Sequence, residues 1–255
     1  MLRPKKPEEI ETLAAGGAVL AEILDALSAA VKPGVTSHEL DMVARALIQQ
    51  RGARPSFLGY APKGRRGFPA ALCVSVNEAV VHGLPTGVPF VEGDIVGLDL
   101  GIVYRGLYLD SAHTVPVGKV SDAAQRLLEV TSRALAIGIE AAGVDKTTGD
   151  IGAAIQRYVE GSGFAVVRAL VGHGVGYSVH EEPAVPNYGV PGQGVRLVEG
   201  LVIAIEPMVA QGSAEVLTAE DGWTVKTAGG GLAAHEEHTV LVTATGPRVL
   251  TRRGV

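Results

Sequence analysis

Four acids and one imidazole pose the chemical question in this sequence. Asp99 and Asp110 lie on two apolar stretches joined around Arg105-Gly106. Glu206 ends another apolar run just before Pro207, and Glu236 and Glu237 open the strand-like run His238-Thr239-Val240-Leu241-Val242. His173 sits in Gly172-His173-Gly174-Val175-Gly176, where the glycines let the backbone approach something closely. A carboxylate ending a buried strand is costly unless it is paired or metal-bound. If Arg105-Gly106 is a two-residue hairpin loop, Asp110 faces Gly101, and Asp99 lies two residues along on the same face. The two carboxylates are then diagonal neighbours, roughly 7–8 Å apart at Cα. Like charges so close repel unless a cation lies between them. A salt bridge to Arg105 is the alternative, but an arginine at the turn tip is badly placed to reach back. Oxygen-rich ligation with one imidazole suits Mn, Fe, Co or Zn. Five ligands exceed what one catalytic zinc takes, so two ions sharing bridging carboxylates is the better count. Spacing alone does not choose between Glu236 and Glu237.

The elements that must position these groups repeat. Pro7-Glu8-Glu9 reads as a helix start, followed by Leu13, Leu20, Ile23 and Leu27 at helical spacing and a stop at Lys32-Pro33-Gly34. Thr36-Ser37-His38-Glu39 is a capping box opening a second helix, which Gly52 ends. Thr147-Thr148-Gly149-Asp150 repeats that box after another helix spanning residues 121–142, and Gly163 repeats the stop. Val91-Glu92-Gly93 and Val198-Glu199-Gly200 both precede an apolar strand carrying a carboxylate, Asp99 in one and Glu206 in the other. Two echoes at similar offsets predict a duplicated helix–helix–strand unit. The chain then forms a single α+β domain of two related halves, about residues 1–120 and 121–255, with Asp99 and Glu206 facing each other near a pseudo-twofold axis.

Composition removes other classes of function. Among 255 residues, 47% are hydrophobic and 19% charged, which excludes a disordered chain. The net charge of −5 is the wrong sign for a broad nucleic-acid footprint. No uninterrupted apolar run reaches the roughly 18 residues of a membrane span, and the first residues lack the apolar stretch of a secretory signal. The single cysteine, Cys73, forbids an intrachain disulfide and favours a reducing compartment, read as the cytoplasm. In its apolar run Cys73 reads as a buried thiol. The glycine loop is no dinucleotide fingerprint, because Tyr177 takes the third glycine position. No long hydrophobic arm signals an obligate partner, so a monomer is expected.

Read together, Asn77-Glu78-Ala79-Val80-Val81-His82-Gly83-Leu84-Pro85, the Asp99/Asp110 pair, Gly172-His173-Gly174-Val175-Gly176, His180-Glu181-Glu182-Pro183, Ile205-Glu206-Pro207-Met208, Asp221-Gly222-Trp223-Thr224 and Glu237-His238-Thr239 closely resemble type I methionine aminopeptidases. The resemblance runs from the first helix to the C-terminus in one order. It implies the pita-bread fold, two pseudo-symmetric halves with antiparallel sheet covered by helices around a dinuclear metal site. Prolidases and aminopeptidase P share this core but add an N-terminal domain for which this sequence leaves no room. Type II enzymes insert helices between Glu206 and the last motif, where only a short segment lies here.

By that resemblance Asp99, Asp110, His173, Glu206 and Glu237 hold two divalent ions, with Asp110 and Glu237 shared between them. Glu237 is preferred over Glu236 because the family ligand directly precedes His-Thr. His180 bonds the scissile carbonyl or its developing oxyanion, and His82 meets the adjoining peptide backbone. Glu206 relays the proton of the attacking water. Cys73, Tyr60, Phe68 and Trp223 are the candidate lining for a methionine side chain. The implied substrates are the amino termini of nascent chains with a small second residue, and association with the ribosome fits that role. Two other readings share the motifs: a metal-free peptide- or partner-binding module and an Xaa-Pro dipeptidase. Extra residues between Ala61 and Arg66, Val179 in place of a phenylalanine, and His235-Glu236 in place of a Gln-aromatic pair depart from the family pattern.

Overall fold

The computed structural model describes residues 2–62, 64 and 66–254. Met1, Lys63, Arg65 and Val255 lie outside them, so part of the Ala61–Arg66 departure does too. The first half runs α1 (Pro7–Ala30), α2 (Ser37–Gln50), β1 (Arg54–Pro55), β2 (Leu72–Val76), β3 (Ala79–Val81), β4 (Ile95–Tyr104) and β5 (Leu107–Pro116). The second half opens with α3 (Asp122–Glu140), α4 (Thr148–Gly161), β6 (Ala165–Val166), β7 (Gly172–Gly174), β8 (Glu181–Val185) and β9 (Val202–Ile205). It ends with β10 (Met208–Ala210), β11 (Val216–Thr218), β12 (Val225–Thr227), β13 (Ala233–His235), β14 (His238–Thr243) and β15 (Gly246–Val249).

The two helix pairs are built alike. In α2 the Glu39 carboxylate accepts the Thr36 N–H at 2.7 Å, while the Thr36 hydroxyl accepts from the Glu39 N–H. Asp150 and Thr147 make the same exchange at the start of α4. Each capping threonine then bridges the residue leading into a central strand, Thr36 to Pro89 and Thr147 to Arg196. Gly93 and Gly200 follow, both with positive φ, and their N–H groups donate to Val117 and Val242. The sequence echo is thus an echo of backbone hydrogen bonds, and the fold is the pseudo-symmetric α+β arrangement expected.

Sheet pairing is antiparallel throughout. One sheet carries β1-β4-β2 with β5 on β4, and a five-stranded sheet runs β15-β14-β9-β7-β8. Two smaller sheets, β13-β10-β6 and β11-β12-β3, supply pocket walls through Met208 and Val81. α1 lays Leu13, Leu20, Leu24 and Leu27, all fully buried, into the core it shares with Leu98, Leu100 and Leu109. By length and composition this helix could cross a membrane, but here its apolar side is the core of the first half. In the second half Leu127, Val130, Ile151 and Ile155 of α3 and α4 pack on Ile203, Ile205 and Val240. Asp41 of α2 accepts the N–H groups of Ala71 and Leu72 at 2.7 and 3.1 Å, fixing where β2 begins.

Candidate active site

The Arg105-Gly106 loop sets the first pair of acids. Both residues have positive φ, 48° and 87°, the backbone of a two-residue hairpin turn whose twist matches its strands. The ladder runs without a bulge from Tyr104 opposite Leu107 to Ile95 opposite Pro116, placing Asp110 across from Gly101 and Asp99 across from Ala112. That is the register the loop length predicts. The Arg105 guanidinium lies over the Tyr104 ring, away from the acids.

The second set comes from the five-stranded sheet. β9 pairs with β7, His173 opposite Ala204, and with β14, His238 opposite Ile205. Glu206 therefore leaves the end of β9 beside His173, and Glu237 enters β14 next to both. A Cβ at Gly172 would collide with the Ala204 carbonyl, and one at Gly174 with the Glu182 carbonyl. The glycines around His173 thus let β7 fit between β8 and β9.

Side-chain hydroxyls join the two halves at this point. The Thr239 hydroxyl accepts from the Asp110 N–H at 3.1 Å and donates to the Asp110 carbonyl at 2.7 Å. Thr114 does the same for His235, and the Ser111 hydroxyl donates to the Glu237 carbonyl at 2.8 Å. The Glu237 N–H closes the series on the Ala112 carbonyl. Together these bonds hold Asp110 against Glu237.

One ligand atom each from Asp110, His173 and Glu237 lies within 4.8 Å of the others. Asp110 Oδ1 and Glu237 Oε1 are buried with no hydrogen-bond partner. His173 Nδ1 donates to the Gly174 carbonyl at 2.9 Å, which turns Nε2 toward the acids, 3.3 Å from Glu206 Oε1. Burial, then the neighbouring acids, hold Asp110 and Glu237 well above the usual carboxylate range, and burial raises Asp99 to about 6. Burial alone would raise Glu206 too, but His235, 3.6 Å away, together with His173 holds it down. Clustered acids with unsatisfied oxygens and a free imidazole nitrogen are the donor set of a divalent cation. The residues present fit one.

Glu236 points elsewhere. Its carboxylate takes His113 Nδ1 at 2.7 Å and Arg253 at 2.8 Å, outside the pocket. Neighbours on an extended chain face opposite sides, so only Glu237 reaches the cluster.

The acids floor a cavity of about 170 Å³, room for several water-sized groups. Its lining includes all eleven residues expected in the site: Asp99, Asp110, His173, Glu206, Glu237, His82, His180, Tyr60, Phe68, Cys73 and Trp223. Phe68 and Trp223 meet edge to face, 5.2 Å between centroids. Cys73 sits opposite Asp99 on β2, and burial pushes its thiol up, so it stays neutral. Val179 packs in the same aromatic cluster. His180 keeps one side open to solvent and meets His173 edge to face, 4.4 Å between centroids, with its Nδ1 2.8 Å from the Tyr60 hydroxyl. Burial and His173 lower its pKa, so it is neutral at pH 7. Sequence reasoning missed Phe57, Val81, Leu170, Val171 and Met208 on the pocket wall, and Asn187, which donates to the Glu206 carbonyl. Val81, Leu170, Val171 and Met208 lie within three residues of His82, His173 or Glu206 in sequence, but their apolar character alone does not say which of them faces the pocket, and Phe57 and Asn187 carry no local signal.

Fold and site together define a metallopeptidase. Residues 11–244 match metallopeptidase family M24, and the chain belongs to that family. Within it, the similarity is to methionine aminopeptidases. The Clostridium perfringens enzyme is 47% identical across 98% of this chain and 99% of its own. The Aquifex aeolicus enzyme is 48% identical, covering 95% and 96%. The crystal structure of methionine aminopeptidase from Thermotoga maritima superposes with a TM-score of 0.95 at 42% identity, over 99% of this chain and 100% of that one. The prolidase from Pyrococcus furiosus shares the fold at TM-score 0.79 and 23% identity, with 66% of its length covered.

Proposed function

We propose that this chain hydrolyses the peptide bond after an N-terminal methionine, acting on nascent polypeptides whose second residue is small. The observation that carries this is one cavity with a metal-binding floor of Asp110, His173 and Glu237 and an apolar wall of Tyr60, Phe68, Cys73 and Trp223. Two divalent ions are the proposed complement, Mn, Fe, Co or Zn, which Asp99, Asp110, His173, Glu206 and Glu237 would hold. A divalent cation held there would supply Lewis-acid chemistry, lowering the pKa of a bound water toward neutrality and polarising the peptide carbonyl.

The protein's own groups do the rest. Glu206, held ionised beside two imidazoles, takes the proton of the attacking water at a carboxylate oxygen and returns it to the leaving amine. The Tyr60 phenol, its pKa raised by burial, stays protonated and donates to His180 Nδ1. That leaves the hydrogen of His180 on Nε2, where it stabilises the oxyanion developing on the scissile carbonyl. His82 meets the substrate backbone. The aromatic and thiol wall receives the thioether. A nascent-chain substrate fits a proposed site of action in the cytoplasm beside the ribosome.

The test is hydrolysis of Met-Ala-Ser by the purified protein with added Mn or Co. Release of Met is expected, and Asp99→Ala is expected to reduce it by more than the roughly 100-fold typical of losing a ligand's supporting partner. Preference for Xaa-Pro dipeptides would instead make it a prolidase-like enzyme, and a metal-loaded protein releasing nothing would make it a binding module.

A further inference from the structure

Lys5 is a buried lysine outside the metal site. Its side chain is 1% exposed, and Nζ lies 2.8 Å from Glu181 Oε1. The same carboxylate oxygen accepts the Tyr177 N–H at 3.0 Å, so it closes the five-residue loop 177–181 on itself. His180 stands in that closed loop, one residue before Glu181, and its carbonyl accepts the Ser178 hydroxyl. The N-terminal segment grips the loop at other points. The Arg3 and Lys5 cations lie 3.9 and 4.2 Å from the Tyr177 ring centroid, and the Tyr177 hydroxyl donates to Glu9 at the start of α1 at 2.6 Å. Lys5 N–H donates to the Gly200 carbonyl at 2.7 Å, in the turn that leads into β9 and Glu206. A Cβ at Gly176 would collide with the Lys5 stem, so that glycine makes room for it.

A buried ion pair is weak evidence of stabilisation, because desolvation of both charges offsets their attraction. What it does impose is geometry: one ammonium must meet one carboxylate. We propose that Lys5 is a positioning residue, and that residues 3–9 form a clip which fixes the orientation of His180 toward the scissile carbonyl. The proposal rests on the reading that His180 contacts substrate. A tether here matters because small displacements of an orienting group cost as much as 100-fold in rate.

The experiment compares metal-loaded wild type, Lys5→Met, which keeps the stem and removes the ammonium, and Tyr177→Phe, which removes only the bond to Glu9. Lys5→Met is expected to lower kcat on Met-Ala-Ser about 10- to 100-fold, with KM and metal stoichiometry little changed. In a His180→Ala background the same change is expected to cost nothing further, since interacting sites are non-additive. Losses that multiply in the double variant, or wild-type kcat in Lys5→Met, would overturn the proposal. Imidazole NMR of histidine-labelled protein gives a readout independent of turnover. The His180 signal should shift or broaden in Lys5→Met and, less so, in Tyr177→Phe. An unmoved signal in both overturns the clip even if the enzyme is active, whereas failure of wild type to release Met counts against the proposed function and leaves the NMR criterion standing. Should Lys5→Met not fold, Tyr177→Phe carries both readouts.

Discussion

Glu236 and Glu237 are adjacent and equally buried, yet they face different partners. Glu237 Oε1 has no hydrogen bond and faces Asp110, while Glu236 is spoken for by Arg253 and His113. Glu237→Gln should therefore abolish metal binding and turnover. Glu236→Gln should retain metal while lowering stability by about 1–3 kcal/mol, the cost of weakening a buried charged hydrogen bond. Metal titration and thermal unfolding of the two variants separate the cases, and equal metal loss in both would contradict this assignment. The raised carboxylates make a second expectation. Asp99 titrates near 6 in the fold against 3.8 unfolded, and Asp110 and Glu237 are also raised. Without metal, the folded state keeps protons the unfolded chain gives up. For Asp99 that contribution to stability is complete below about pH 4 and is lost as pH rises through about 6, and Asp110 and Glu237 act in the same direction. Metal displaces those protons. Its gain in Tm should thus be larger at about pH 7.5 than at about pH 5.5, with proton release on binding in calorimetry. A gain that shrinks as pH rises would count against the cluster as ligands.

At the scale of elements, the hairpin was legible because a two-residue loop with glycine fixes register, and register fixes which residues share a face. Asp99 and Asp110 could be paired from that alone. The choice between Glu236 and Glu237 could not, because it depends on a contact between β5 and β14 that no local pattern encodes. Thr239 carries that contact with two hydrogen bonds to the Asp110 backbone. Thr239→Val keeps the shape and removes both, leaving a buried N–H and a buried carbonyl unpaired at about 1–3 kcal/mol each. Lower Tm together with weaker metal affinity is expected. If affinity holds while Tm falls, the hydroxyl supports the fold and not the site.

At the scale of the molecule, the duplicated capping boxes and Val-Glu-Gly turns announced two related halves, and their hydrogen bonds recur in the structure. The apolar wall was only partly legible. Phe68 and Trp223 stood out as aromatics near motifs, whereas Leu170 and Met208 reach the pocket from short strands and loops whose placement is a tertiary matter. The Lys5–Glu181 contact joins residues 176 positions apart, which spacing cannot reveal. The halves meet where the acids do. The measurement that tests this most directly is an anomalous difference map from crystals grown with Mn. Peaks are expected roughly 2.0–2.3 Å from carboxylate oxygens of Asp110 and Glu237 and from His173 Nε2. A map with no peak among these residues, or with its peaks elsewhere, would contradict the account.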